Sequence, residues 1–231
     1  MPATDLPALF AKVAGDLDEQ RESLNQADEA NQDHGNHMLE IFQIAVQAAE
    51  EKRDAPMAEA MGRAAELLRL RTENGSAQVY ARGLAILARH LEQRSVDLDD
   101  LVPYVSNYLN EQKESAESQP GGGEATQMDS SAKSGDILKA LLAALSEWEQ
   151  VEISQIENTP YQNGGSKSGS GLNIGYLFGV GMAYMQAMQK GGEKLDILSE
   201  TVVSASPLSK VPYRHLSGVI AVRSLLEGMK D

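Results

Sequence analysis

Apolar positions recur at three- and four-residue steps along most of this chain, the spacing that lines one face of a helix. Leu6, Leu9, Phe10, Val13 and Leu17 form the first such stripe, with Thr4 or Asp5 placed to cap it. Met38, Ile41, Phe42, Ala45, Val46 and Ala49 form the second. Pro56 is suited to open a third helix running to about Thr72, and a fourth is expected from Ser76 to about Arg94 with Val79, Tyr80, Gly83, Leu84, Leu87 and Leu91 inward. Asp97 to Gln112 supplies a fifth. Residues 114–134 carry almost no large apolar side chain and read as a flexible linker. Helical patterning resumes near Asp136, at Leu172 to Gln189, at Leu195 to Ser204 and at His215 to Met229. Alternating β-branched runs beside hairpin turns are missing, so the expectation is an all-α protein, an antiparallel barrel or bundle of about eight to nine helices.

The two sides of the linker echo each other. At an offset of 136 Gly35 falls on Gly171, Met38 on Ile174 and Phe42 on Phe178, and at an offset of 141 NGSAQVYARGLAILA lies over HLSGVIAVRSLLEG with Ser76 on Ser217. Residues 1–113 and 135–231 are therefore expected to be two four-helix halves of one domain, each with a tight Ser/Gly turn before its last helix.

Composition narrows the function. The chain has 231 residues with 34 acidic against 20 basic side chains, a formal charge of −14, and its basic residues are scattered among acids. Such a surface repels nucleic acid and anionic lipid, so neither is an expected partner. With no cysteine, a disulfide framework, a thiolate metal site and a cysteine nucleophile are excluded. The first twenty residues lack a basic stretch followed by an apolar one, and the most apolar window, Leu172 to Met188, is too short and mixed to span a bilayer; a cytoplasmic location is expected.

Two segments can carry chemistry. The loop QADEANQDHGNHM, Gln26 to Met38, can offer the oxygens of Gln26, Asn31 and Asp33 to a hard cation ahead of a helix start that favours anions. ENGSAQVY, Glu73 to Tyr80, places a glycine turn before new helix amides and the Ser76 hydroxyl, suited to a phosphate or ribose. Plainer roles account for both: Asp33 or Asn36 as a helix cap, Gly75 as the turn between two antiparallel helices. His34 and His37 could form half a zinc site, but His90 and His215 are not comparably paired. The NGGSKSGSG stretch lacks the end of a P-loop and reads equally as a connector.

DHGNHM, Asp33 to Met38, followed about forty residues later by NGSAQVYARGLAILA, resembles the nucleotide-binding L subunit of dihydroxyacetone kinase, whose loops read roughly G-D-G-D-H-G-T-N-M and G-G-A-S-G-P-L-Y-G-T. Asp33, His34, Gly35 and Met38 match the first loop, Ser76 and Tyr80 the second, and Gly75, Ala77 and Ala81 stand where that family has small residues. The resemblance implies a helical barrel holding ADP or ATP with Mg²⁺, and phosphotransfer to a small hydroxyketone-type acceptor. It implies nucleotide contacts at His34, Gly35, Gly75, Ser76 and Ala77, and metal ligands at Gln26, Asn31 and Asp33. A partner kinase subunit is implied as well; a homo-oligomer is the other expectation. Only Asp33 of the three ligand positions is a carboxylate, and Asp28 and Glu29 are nearby substitutes. Two readings thus stand side by side: a weakened kinase, and a non-catalytic binding or scaffold protein derived from that fold.

Overall fold

Asp5 starts the first helix, its carboxylate accepting from the Ala8 N–H at 3.3 Å, while Pro7 occupies the first turn, where its missing amide costs nothing. In the computed structural model, which describes residues 5–72, 74–94, 144, 147–148, 182, 184–187, 189 and 193–229, this helix is α1 (Leu6–Glu19). It is followed by α2 (Arg21–Ala27), α3 (His34–Glu51), α4 (Met57–Arg71) and α5 (Gly75–Arg94). After a gap in the described residues come α6 (Lys194–Ser204), a 3₁₀ turn (Pro207–Lys210) and α7 (Pro212–Gly228). No strand occurs among the described residues, and the protein is all-α. None of the described helices is long and apolar enough to cross a membrane.

The stripes read from sequence are the buried faces. Leu9, Phe10, Val13 and Leu17 of α1 meet Met38, Ile41, Phe42 and Ala45 of α3, and α4 adds Ala64 and Leu68 on the other side. Alanines at Ala48, Ala49, Ala60, Ala64, Ala77 and Ala81 let helix backbones approach closely, so a core of modest side-chain volume still closes. Phe10, Phe42 and Tyr80 form an edge-to-face series, with centroids 6.3 and 5.8 Å apart, that ties α1, α3 and α5 together. On α5 two faces are covered: Ala77, Ala81, Ala88 and Leu91 join this core, while Val79 packs with Val203 and Leu208. Gly83 leaves space for Trp148, whose ring would stand 2.8 Å from a Cβ at that position.

Three local expectations are corrected. The stretch from Gln26 to Met38 is not all loop: α2 runs to Ala27 and α3 begins at His34. α2 buries only Leu24, leaving no periodicity to read. The last helix begins at Pro212, before His215, and the HLSG stretch lies inside it instead of forming a tight turn. Proline at the first helical position supplies the start, and the chain reverses earlier, through the 3₁₀ turn, where Ser206 Oγ accepts from the Leu208 N–H. The expected helix at 97–112 and the linker at 114–134 lie outside the described residues, as do the helices near 136–153 and 172–189 except for isolated helical positions. α7 packs across α1 and α6. Arg223 bonds Asp196 at 2.5 Å and Lys12 lies 3.4 Å from Glu227, surface pairs that align these helices and add little stability.

Candidate functional site

Three helix starts meet around one imidazole. His34 opens α3 and is 1% exposed. Its Nε2 lies 2.9 Å from Ser217 Oγ on α7, and its Nδ1 lies 3.5 Å from Ser76 Oγ on α5. The Tyr213 ring covers it at 4.6 Å. Ser217 Oγ also lies 3.1 Å from the Arg214 carbonyl, which can only accept; when Ser217 donates there, His34 Nε2 is the donor to Ser217 and Nδ1 faces Ser76 as an acceptor. Burial pushes the His34 pKa down to about 4; the nearby Asp28 and Asp33 carboxylates oppose the change, and Arg214 and His37 reinforce it. At neutral pH the ring is uncharged.

Beside this ring two groups lack partners. The Tyr80 hydroxyl is buried and completes no hydrogen bond, although Ser217 and Arg214 are its polar neighbours; burial pushes its pKa well above the usual phenol range. Arg214 Nε is buried and unpartnered too. The Arg214 guanidinium lies 5.9 Å over the Tyr213 ring, and one of its nitrogens would be 2.9 Å from a Cβ on Gly75. It meets no carboxylate among the described residues. Arg214 thus stands in the first turn of α7 and against the first residue of α5. Both ends carry the positive pole of a helix, where a cation is disfavoured and an anion favoured.

The start of α5 is firmly built. Asn74 Oδ1 accepts from the Ala77 N–H at 2.6 Å, Thr72 Oγ1 accepts from Asn74 Nδ2 at 2.9 Å, and Gln78 Nε2 donates to the Thr72 carbonyl at 3.0 Å. Asn74 therefore takes one amide, and the N–H groups of Gly75 and Ser76 have no partner among the described residues. Gly75 is exposed, Ser76 and Ala77 are buried.

No family model matches this chain, and no curated protein or solved structure matches it.

The start of α3 differs from that of α5 because it is already satisfied. Asn25 on α2 accepts from the Gly35 N–H at 2.8 Å and the Asn36 N–H at 3.3 Å. Neither Asp33 nor Asn36 is the capping side chain: Asp33 holds the cap position but makes no capping bond. Replacing Asn25 with alanine is expected to lower stability by about 1 kcal/mol, read from the urea midpoint; no change would mean water caps α3 equally well.

The metal-ligand positions form no matching set. Gln26 and Asn31 are exposed, and Asp33 is half-buried with Oδ1 3.3 Å from His37 Nδ1. Asp28, the nearest substitute, is 3% exposed and turned onto its own loop, where it accepts from the Ala30 N–H at 3.2 Å. Among the described residues no three His, Cys, Asp or Glu side chains gather to hold a metal, which includes the His34 and His37 pair. Two Mg²⁺ ions need anionic oxygens, and this donor set of two amides and one carboxylate does not fit them. Sequence reasoning brought out His34 and Ser76 but overlooked Asn25, Tyr213, Arg214 and Ser217 as their partners. Pro212 directly ahead of Tyr213 and Arg214 was the available signal, since it marks a helix start carrying a cation.

Proposed function

We propose that this chain is a non-catalytic, phosphate-binding relative of the dihydroxyacetone kinase L subunit, with two related helical halves in a barrel. A phosphoryl group of a ligand such as ADP lies against the start of α5, on the Gly75 and Ser76 amides, and Arg214 supplies the positive charge that the resembling family takes from magnesium. The observation that carries this reading is Arg214 itself, uncompensated by any described carboxylate and pressed against the open end of α5. The resemblance is supported by the meeting of its two motifs at His34 and Ser76. The proposed duplication is supported by the pairing of Ser76 with Ser217, since these two serines flank opposite nitrogens of one ring. With no acid set for metal-assisted transfer among the described residues, the role is ligand-gated binding of a partner subunit or of a second copy.

Calorimetric titration with ADP tests this. Saturable binding without Mg²⁺, weakened about tenfold or more by Arg214→Gln, is expected, as loss of one charged hydrogen-bond donor set implies. Absence of binding at millimolar ADP, or an Arg214→Gln variant that binds as tightly as the parent, would sink the proposal. Asp33 Oδ1, buried without a hydrogen bond, favours the weakened-kinase reading instead. That reading requires binding to depend on Mg²⁺ and to strengthen when Gln26 and Asn31 are both changed to aspartate.

A further inference from the structure

Tyr80 follows Ser76 by four residues and so shares its face of α5. A long side chain on a helix leans back over the turn before its own Cα, which carries the Tyr80 ring toward the start of α5. Phe42 meets that ring edge-on at 5.8 Å. The hydroxyl at its tip is shut off from solvent beside Ser217 and Arg214 and completes no hydrogen bond among the described residues. Such a group is costly, because a phenol taken out of water without a partner loses the bonds it made there. Arg214 Nε, buried close by, is in the same position. Two unsatisfied donors beside two open helix amides make a shared deficit that one acceptor-rich ligand can meet.

Resting on the phosphate-binding reading of the α5 start, we propose that Tyr80 is a further ligand-binding residue there, and that the site takes a terminal phosphoryl group and rejects a phosphodiester. Donor number is the first reason. The N–H groups of Gly75 and Ser76, Arg214 Nε and Tyr80 Oη are four donors without a described partner. A terminal phosphoryl brings three free oxygens and close to two negative charges at neutral pH, whereas a diester brings two oxygens and one charge and leaves a buried donor unmet. Burial holds the phenol protonated, so toward an anion Tyr80 donates. Access is the second reason. Gly75 is exposed, and the Arg214 guanidinium rests against it. A swing of this long side chain admits a phosphoryl end-on, with its single ester link directed to solvent. A diester would have to carry its second link inward, into the packed core around Phe42 and Ala77.

The experiment titrates ADP, and ADP-ribose, which keeps the adenosine diphosphate but has no terminal phosphoryl, into the full chain and its Tyr80→Phe variant without Mg²⁺, and melts both proteins without ligand. ADP binding weakened about five- to tenfold by Tyr80→Phe is expected, with ADP-ribose about tenfold or more weaker than ADP on the parent. Free of ligand, Tyr80→Phe is expected to melt about 2–4 °C higher, because it drops an unmet hydroxyl. A lower melting temperature would show that the hydroxyl holds the fold through a partner, and would overturn the assignment. So would ADP binding as tight in Tyr80→Phe as in the parent, or equal affinity of the parent for ADP and ADP-ribose. The last comparison uses the parent alone, so a poorly folding variant does not shield the proposal. Weakening of ADP by Arg214→Gln but not by Tyr80→Phe would keep the phosphate site and remove Tyr80 from it; a parent that binds no ADP would remove both.

Discussion

Gly35→Ala is expected to destabilise the protein by about 3 kcal/mol, even though alanine is the better helix former. A Cβ at Gly35 would clash with the Arg21 carbonyl oxygen and lie 2.9 Å from Asn25 Oδ1. The first contact is with backbone, so relief requires α2 to move off α3, which breaks the Asn25 cap and loosens His34 beside it. The control is Gly62→Ala in the middle of α4, where an added Cβ meets nothing within 4 Å; there alanine is expected to stabilise by about 0.5–1 kcal/mol. Guanidinium unfolding of both variants gives the comparison. Gains of similar size at the two glycines would show that α2 does not press on α3. The sequence match of Gly35 to a family glycine thus has a packing cause here, the close passage of two helix ends, and direct contact with a ligand is not needed to explain it.

The second large effect is with pH. His34 folds as a neutral imidazole with its pKa down to about 4, against about 6.5 in the unfolded chain. Between these values the unfolded chain binds the proton and the folded one does not. Stability is therefore level above about pH 6.5 and falls as pH drops toward 4, by about 3 kcal/mol. Asp28 and Asp33 face the ring and soften the loss; Arg214 and His37 deepen it. Most of the acids held below their usual range, Asp16, Glu51, Glu147 and Glu227 among them, contribute their own loss only further down, as pH falls through the carboxylate range. The window from pH 6.5 to 5 therefore isolates the histidine. Thermal melts across that window should show a decline in the parent protein and a flat profile in His34→Gln. Equal slopes in the two proteins would mean that the ring is not buried neutral.

Periodicity revealed the helices whose one face is strongly apolar. α1, α3 and α5 follow from it, to within a few residues, because Leu9, Ile41 and Leu91 must leave water, while Pro56 marked the start of α4. It failed at α2, which buries a single leucine, and at the start of α7, which is set by Pro212 and not by an apolar stripe. At the site, the motif match picked out His34 and Ser76, whose neighbours depend on tertiary packing. Ser217 is 183 residues from His34, and no local pattern announces that contact. Arg214 was hidden for the same reason: a surface arginine and one pressed against another helix's start look alike in sequence.

The long reach of that contact also sets an order of assembly. α7 supplies Ser217 to His34, packs on α1 and lays Glu227 beside Lys12, so α1 and α3 obtain one wall of their core from residues 212–228. During synthesis α1 to α5 emerge first and can pair among themselves, yet they carry His34 half-covered until α7 leaves the ribosome. Completion of the fold thus waits for α7 and closes a loop of nearly two hundred residues, with the slow-growing entropic cost that such closure carries.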